Sequence, residues 1–220
     1  MNFLIVLGFI FAVLESLVLY KSWRKLEFVT KPAVMLCLFI WLYFTAGLGG
    51  SLLWFGLGII FSLVGDVFLL FIDRFFMFGL IAFLVAHIAY LVGFNTPPPQ
   101  GLSAWSFGVA IVIGISAMRL LRRIVTGVRE TQPRLVGPVV LYSAVITLML
   151  LSALLTLFRS EWMTTPALLV SLGAILFFLS DIVLAWNRFI APIKHGRMLN
   201  IGMYHLAQIA IVVGAAMQFG

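Results

Sequence analysis

Eight long apolar segments divide this chain of 220 residues, and they restrict its fold more than any other feature. In a soluble protein such a segment usually ends after about 8 to 15 residues, whereas these repeatedly reach the roughly 20 residues that cross a bilayer. The composition also indicates a membrane protein, because 64% of the residues are hydrophobic and only 10% are charged. The sequence therefore predicts a multi-pass integral membrane protein, in the inner (cytoplasmic) membrane if the source is bacterial.

The segments predict helices, because a backbone in lipid must satisfy its hydrogen bonds within the structure. Transmembrane strands would instead show alternating segments of about ten residues. The predicted fold class is all-α, a polytopic bundle of eight transmembrane helices forming a single membrane domain over residues 1–220. The predicted spans are 2–20, 32–48, 51–72, 75–95, 104–121, 136–158, 164–186 and 198–219.

The basic residues indicate an orientation. Thirteen of the fourteen Lys and Arg residues follow or end the odd-numbered spans, and only Arg159 lies on the other side. Since basic loops stay in the cytoplasm, both termini are predicted to lie outside. The net charge of +7 is then a topology signal, and nucleic acid is not an expected partner.

The third and seventh spans share a pattern that indicates an internal repeat. A glycine stands eight residues before Asp66 and again eight residues before Asp181, and a histidine lies on the following span in both halves. Residues 1–95 and 104–219 are therefore predicted to form two parallel four-helix repeats. The alternative is that two apolar helices look alike through composition alone, and the sequence leaves it open.

Polar side chains recur at helical spacing inside the spans. Ser62 and Asp66 lie one turn apart on the third span, and a carboxyl group within a membrane is costly enough to indicate a function. Asp66 and Asp181 lie at similar depth, so a polar cavity opening toward the cytoplasm is predicted to gather them. Glu15 is expected to be a structural partner of Lys31 or Arg24. Other polar residues predicted to line this cavity and bind its substrate are His87, which lies nearer the midplane, Tyr142, Tyr204, His205 and Gln208.

Some of these residues have a structural alternative. His87 and His205 could only form hydrogen bonds between helices. The basic residues Lys31, Arg188 and Arg197 are topology signals that could also contact a lipid phosphate.

Several short motifs along the chain resemble one family. In their order and spacing they are similar to the YhhN-like membrane proteins, which include the lysoplasmalogenases. These motifs are TKP (30–32), SLVGD (62–66), FGLIAFLVAHIAY (78–90), GAILFFLSDIVLA (173–185) and YHLAQ (204–208).

The resemblance implies a hydrolase that cleaves the vinyl ether bond of a lysoplasmalogen to a fatty aldehyde and glycerophosphoethanolamine or glycerophosphocholine. Its expected partners are this lysophospholipid substrate and the surrounding membrane lipids. The resemblance implies Asp66 and Asp181 as catalytic carboxyls. The pocket positions that it implies are Lys31, Ser62, His87, Tyr90, Asn187, Tyr204 and Gln208.

The chemistry of a vinyl ether explains why two carboxyls suit this reaction. A positioned acid protonates the alkene carbon, and water then captures the resulting oxocarbenium ion. We expect Asp66 to be this acid and Asp181 the charged partner, as in the paired carboxyls of glycoside hydrolysis, although the two roles could be exchanged.

No cofactor or metal is expected. The single cysteine, Cys37, excludes a CxxC motif, and the chain contains no HExxH motif. His87, His205 and the two aspartates are an alternative set of metal ligands. The competing function is a proton-coupled transporter of a small or lipid-like solute, because paired intramembrane aspartates and repeats also occur in carriers.

Overall fold

The computed structural model describes residues 2–101 and 104–220, and these form eight long helices. All eight are long and apolar enough to cross a membrane, which confirms the predicted all-α bundle. Met1, Leu102 and Ser103, which the predicted domain includes, lie outside the described residues, and of these only Met1 falls in a predicted repeat. The helices are α1 (Asn2–Tyr20), α2 (Arg24–Ala46), α3 (Leu52–Leu69), α4 (Ile72–Phe94), α5 (Ala104–Thr131), α6 (Val136–Leu155), α7 (Thr164–Phe189) and α8 (Gly196–Phe219).

The predicted boundaries were wrong mainly where basic residues stand near a helix end. Helix α2 begins at Arg24 rather than at residue 32, so Pro32 lies inside the helix. Helix α5 continues past its basic residues to Thr131 rather than ending at residue 121. A charged residue ends the apolar pattern but not the helix, because a long basic side chain can extend from the helix toward water.

Large apolar side chains cover the outside of the bundle. Phe3, Phe44, Ile111 and Leu168 are each more than half exposed. Such a surface would be a liability in water, but it suits hydrocarbon. The protein is therefore an integral membrane protein whose polar side chains are largely enclosed between helices.

The connections that follow α1, α3, α5 and α7 lie at one end of the bundle, which we call the basic end. There Arg197 at the start of α8 forms an ion pair with Glu27 at the start of α2. At the opposite end Arg159 donates hydrogen bonds to the Phe94 carbonyl and to Asn95 Oδ1, both at 2.8 Å. Burial lowers the pKa of the Arg159 guanidinium from its ordinary value. The side of the membrane that each end faces stays a prediction.

Close helix packing relies on glycine at matching positions of α3 and α7. A Cβ atom at Gly58 would lie 2.2 Å from the ring of Tyr90 on α4. A Cβ atom at Gly173 would lie 2.8 Å from the Ala207 carbonyl oxygen on α8. Each glycine thus admits the following helix, as small residues do at membrane helix interfaces. The parallel repeat itself stays a prediction.

Helix α5 is the least embedded of the eight helices. Only Ser106, Ile124, Gly127 and Val128 are buried along its length, and it packs on α6 and α7. Helix α8 is the opposite case, because it contacts α1, α2, α3 and α7.

Candidate active site

The predicted site residues fall into two hydrogen-bonded clusters rather than one. The Asp66 cluster lies among α2, α3, α4 and α8, and the Asp181 cluster joins α4, α6 and α7. The Asp66 cluster comprises Lys31, Ser62, Asp66, Tyr90, Tyr204 and Gln208. The Asp181 cluster comprises His87, Tyr142 and Asp181.

A buried ion pair forms the centre of the Asp66 cluster. Lys31 Nζ lies 3.2 Å from Asp66 Oδ1, and the two side chains are only 4% and 1% exposed. The Tyr204 hydroxyl donates a hydrogen bond to Asp66 Oδ2 at 2.7 Å. Both carboxylate oxygens therefore have a partner, which is the arrangement that a buried charge requires.

The same cluster continues through Gln208 on α8. Its Nε2 donates to Ser62 Oγ at 2.8 Å, and its Oε1 accepts from the Tyr90 hydroxyl at 2.5 Å. Ser62, Tyr90 and Gln208 are fully buried. These bonds fix α8 against α3 and α4, since polar groups inside a membrane protein are costly to separate.

The Asp181 cluster is smaller and more accessible. The Tyr142 hydroxyl donates to Asp181 Oδ2 at 2.5 Å, while His87 Nε2 lies 2.9 Å from the Tyr142 oxygen and 3.4 Å from Asp181 Oδ2. The Asp181 side chain is 16% exposed, whereas His87 is fully buried. Three groups that can hold or release a proton are therefore within hydrogen-bond reach of one another.

An aromatic layer separates the two clusters. The Phe177 ring contacts Tyr204 on one side and His87 on the other, with centroids 5.3 Å and 4.6 Å away. Phe83 packs edge-on against Tyr204 and Phe177. Gly65 admits this ring, because a Cβ atom there would lie 2.6 Å from Phe83.

A cavity of about 70 Å³, lined mainly by α4, α5, α6 and α7, opens beside the Asp181 cluster. Its polar lining residues are Tyr142, Ser143, Thr147 and Asp181, and its other lining side chains are apolar. Asp181 provides the only carboxyl group that lines this cavity in the described part of the chain. This volume is smaller than the roughly 300–1,000 Å³ that is typical of small-molecule sites, so a lipid chain fits only if the walls of the cavity move apart.

The expectation that both aspartates face one polar cavity is therefore not met. Asp66 is paired with Lys31 outside the cavity lining, and the cavity walls are mostly apolar. Counting residues along each span addresses only the position of a carboxyl along its helix axis. It could not show that Phe83 and Phe177 fill the space between them.

Other predicted residues have structural contacts. Asn187 Oδ1 accepts a hydrogen bond from the Ile193 backbone N–H at 2.6 Å and so orders the connection between α7 and α8. Glu15 accepts a hydrogen bond from Thr30 rather than pairing with Lys31 or Arg24 as expected, because the Lys31 side chain reaches Asp66.

His205 is fully buried, and neither ring nitrogen has a hydrogen-bond partner among the described residues. Over those same residues no three His, Cys, Asp or Glu side chains converge closely enough to hold a metal ion.

Phe177 was missed by sequence reasoning, although it lies one helical turn before Asp181 on the same face of α7. That spacing was the available signal. An aromatic residue in an apolar span is nevertheless so common that the spacing did not distinguish it.

Comparison with known proteins identifies the family of the chain. The model of the YhhN family matches residues 26–215. The chain belongs to the YhhN family. Both clusters of this YhhN protein lie within the matched residues, and no solved structure matches the chain.

Curated relatives of this YhhN protein come from mammals. Lysoplasmalogenase TMEM86B of Rattus norvegicus is 29% identical over 195 residues, which cover 88% of this chain and 74% of that protein. Lysoplasmalogenase TMEM86B of Homo sapiens is 29% identical over 194 residues, covering 88% of this chain and 76% of that protein. Lysoplasmalogenase TMEM86A of Homo sapiens is 31% identical over 161 residues, covering 72% of this chain and 63% of that protein.

Proposed function

We propose that this YhhN protein hydrolyses the vinyl ether bond of lysoplasmalogens at the cavity lined by Asp181. The names of its relatives support the activity, and the position of Asp181 supports the place. The decisive observation is a carboxyl group on the wall of an apolar cavity, hydrogen-bonded to Tyr142 and beside His87.

The mostly apolar lining of the cavity suits a lipid with one chain. Its apolar walls, among them Leu80, Leu120 and Ile146, would surround the alkenyl chain. Tyr142 and Asp181 provide polar atoms on the same wall, where the ether oxygen and the attacking water need them. The substrate would thus be held by apolar contact along its chain and oriented at one polar point.

In the proposed reaction the protonated Asp181 carboxyl donates its proton to the β-carbon of the vinyl ether. The α-carbon becomes an oxocarbenium ion, which the aspartate now formed stabilises. Water adds to this carbon and returns a proton to Asp181. The hemiacetal then collapses by breaking its bond to the glycerol oxygen, which gives a fatty aldehyde and a glycerophospho-alcohol. One water is consumed, and the acid is regenerated.

Tyr142 and His87 would assist by handling the proton. Tyr142 donates to the Asp181 oxygen at 2.5 Å, and His87 Nε2 lies within 3.4 Å of that oxygen. A proton can therefore reach Asp181 again without crossing the apolar cavity. The buried position of His87 behind the two residues fits a proton-holding role better than contact with substrate.

This assignment gives Asp181 the acid role that the sequence suggested for Asp66, and it keeps Asp181 as the charged partner. Asp66 faces Lys31 and Tyr204 rather than the cavity, so we propose that it is a positioning residue. It holds Tyr204 against Phe177, and Phe177 in turn packs on His87. Lys31, Ser62, Tyr90 and Gln208 would act in the same indirect way. The names of the relatives do not support the transporter alternative, because they are lysoplasmalogenases.

The direct test is fatty aldehyde release from lysoplasmalogen by the purified protein in detergent. We expect Asp181→Asn to lower the rate at least about 100-fold, the scale of positioned acid catalysis, while the protein still folds. Glu130→Gln, an exposed carboxyl on α5, is the matched control and should leave the rate unchanged. Equal rates for wild type and Asp181→Asn would exclude Asp181 as the acid.

A further inference from the structure

Arg188 follows Asp181 near the basic end of α7, next to the cavity but not in its lining. The two residues are seven positions apart, so they project from the same face of the helix about two turns from each other. The Arg188 guanidinium stacks on Phe76 at 4.1 Å from the ring centroid and lies 5.8 Å from the Phe189 centroid. Phe76 and Phe189 both line the cavity.

The Asp73 carboxylate acts on this guanidinium electrostatically, but no described residue accepts a hydrogen bond from it. Among the described residues, Arg188 has neither a hydrogen bond nor an ion pair, and its Nε is buried without an acceptor. The stacked rings occupy the face of the planar group, so its N–H edge is free to bind. A partly buried arginine with unused donors beside an apolar cavity is a suitable partner for an anion, above all a phosphate, which its fork of donors fits bidentately.

A second arginine lies close to the same place. Arg123 on α5 stacks on Trp186 of α7 at 5.0 Å from the ring centroid. Its neighbours Leu121 and Ile124 line the cavity, as does Ala185 beside the tryptophan. Two cations on the facing walls α5 and α7 therefore flank the basic end of the cavity.

The rise along α7 between Asp181 and Arg188 is of the same order as the length of the substrate between its vinyl ether and its phosphate. Seven residues of α-helix rise about 10 Å. In a lysoplasmalogen, six covalent bonds separate the vinyl ether α-carbon from phosphorus. Three such bonds span about 3.8 Å between successive Cα atoms, so six extended bonds span about 7.5 Å. A charged hydrogen bond of about 2.8 Å brings the total to about 10 Å.

We propose that Arg188, with Arg123 beside it, binds the phosphate of the lysophospholipid head group and thereby places the vinyl ether at Asp181. This inference deepens the proposed function and rests on it for the identity of the lipid. The recognised chemistry is a phosphate monoanion at a fixed distance from an apolar chain. Arg188 is thus a substrate-binding residue that selects the bond to be cleaved.

The test is a binding measurement that does not depend on hydrolysis. The full-length protein is purified in a maltoside detergent, which contains no phosphate group, and titrated with three probes. They are a 1-O-alkyl lysophospholipid, which has no vinyl ether to cleave, the corresponding 1-O-alkylglycerol, which has no phosphate, and inorganic phosphate alone. Calorimetry or tryptophan fluorescence reports the dissociation constants.

We expect Arg188→Gln to weaken binding of the alkyl lysophospholipid about 10- to 100-fold, the range for a lost hydrogen bond to a charged group. Binding of the alkylglycerol should not change, and Arg188→Lys should restore part of the affinity. Arg74→Gln is the matched control, because Arg74 also stacks on a ring, but that ring, Phe75, does not line the cavity as Phe76 does. It should bind all three probes as wild type does.

Three results would overturn the proposal. Equal weakening of the lysophospholipid and the alkylglycerol would show that Arg188 only shapes the cavity. Tight binding of inorganic phosphate, with no gain from the alkyl chain, would show a site for free phosphate. An unchanged lysophospholipid affinity in Arg123→Gln and in Arg188→Gln would show that neither arginine binds it.

Arg123 is exposed, so its variant remains informative if Arg188→Gln fails to fold. The binding data also separate this inference from the proposed function. If wild type releases no aldehyde from lysoplasmalogen yet shows the expected pattern of affinities, the proposed reaction is wrong and the phosphate site stands.

Discussion

Neutralising both partners of the Lys31–Asp66 ion pair should damage the protein much less than neutralising either one. The change is made in three variants: Asp66→Asn, Lys31→Met, and the two together. Asparagine keeps an oxygen that accepts from Tyr204, and methionine keeps most of the lysine's length. The double variant therefore removes two charges while it preserves the shape of the cluster.

The expected magnitude follows from burial. The two side chains are 4% and 1% exposed, and their charged atoms lie 3.2 Å apart. Removing one partner leaves the other charge buried without compensation, which costs about 3 to 5 kcal/mol of the free energy of unfolding. Replacing both charges is close to neutral in such sites. Since each single variant should lose about 3 to 5 kcal/mol and the double variant almost nothing, the measured coupling should be about 6 to 10 kcal/mol.

Two assays on the same samples show whether this double-mutant cycle reports on stability, on catalysis or on both. Thermal or denaturant unfolding in detergent gives the stabilities, and aldehyde release gives the activity. If Asp66 is a positioning residue, the double variant should regain both stability and most of the activity that the single variants lose. A stable double variant without activity would show that the Asp66 charge takes part in the reaction, and additive losses of stability would refute the ion pair.

Two further substitutions test other contacts of the site and the packing. Tyr142→Phe removes the donor that lies 2.5 Å from Asp181, so steady-state kinetics should show kcat about 10- to 100-fold lower with little change in KM. An unaltered kcat would exclude that hydrogen bond from the reaction. Gly173→Ala places a methyl group about 2.8 Å from the Ala207 carbonyl oxygen, so unfolding experiments should show a loss of about 1 to 3 kcal/mol. Gly108→Ala, on an open face of α5, is the matched control for Gly173→Ala and should lose far less.

The fold could be predicted from the sequence because very few backbone structures can satisfy their hydrogen bonds in lipid. Once a segment is long and continuously apolar, its backbone must form a helix, and eight such segments give the bundle. The errors lay at helix ends such as Arg24 and Thr131, where charge interrupts the apolar pattern while the backbone hydrogen bonds continue.

The site could be predicted only in part. The intramembrane carboxyls were recognisable because their burial is costly, and the structure gives both of them hydrogen-bond partners. Which partner each one has depends on the rotation of each helix about its axis and on side chains between helices. His87 follows Asp66 along the chain but bonds to Asp181, and no spacing in the sequence shows that crossing.

The weakly embedded helix α5 has a consequence for how a lipid could arrive. Its residues Ala117, Leu120 and Leu121 form one wall of the cavity, while most of its length faces outward. In water, displacing such a wall would expose apolar surface at a large cost in free energy. Surrounded by acyl chains as apolar as leucine, the same displacement carries almost no hydrophobic penalty. A lipid can therefore enter the cavity laterally from the bilayer, and an apolar aldehyde can leave by the same route without contacting water.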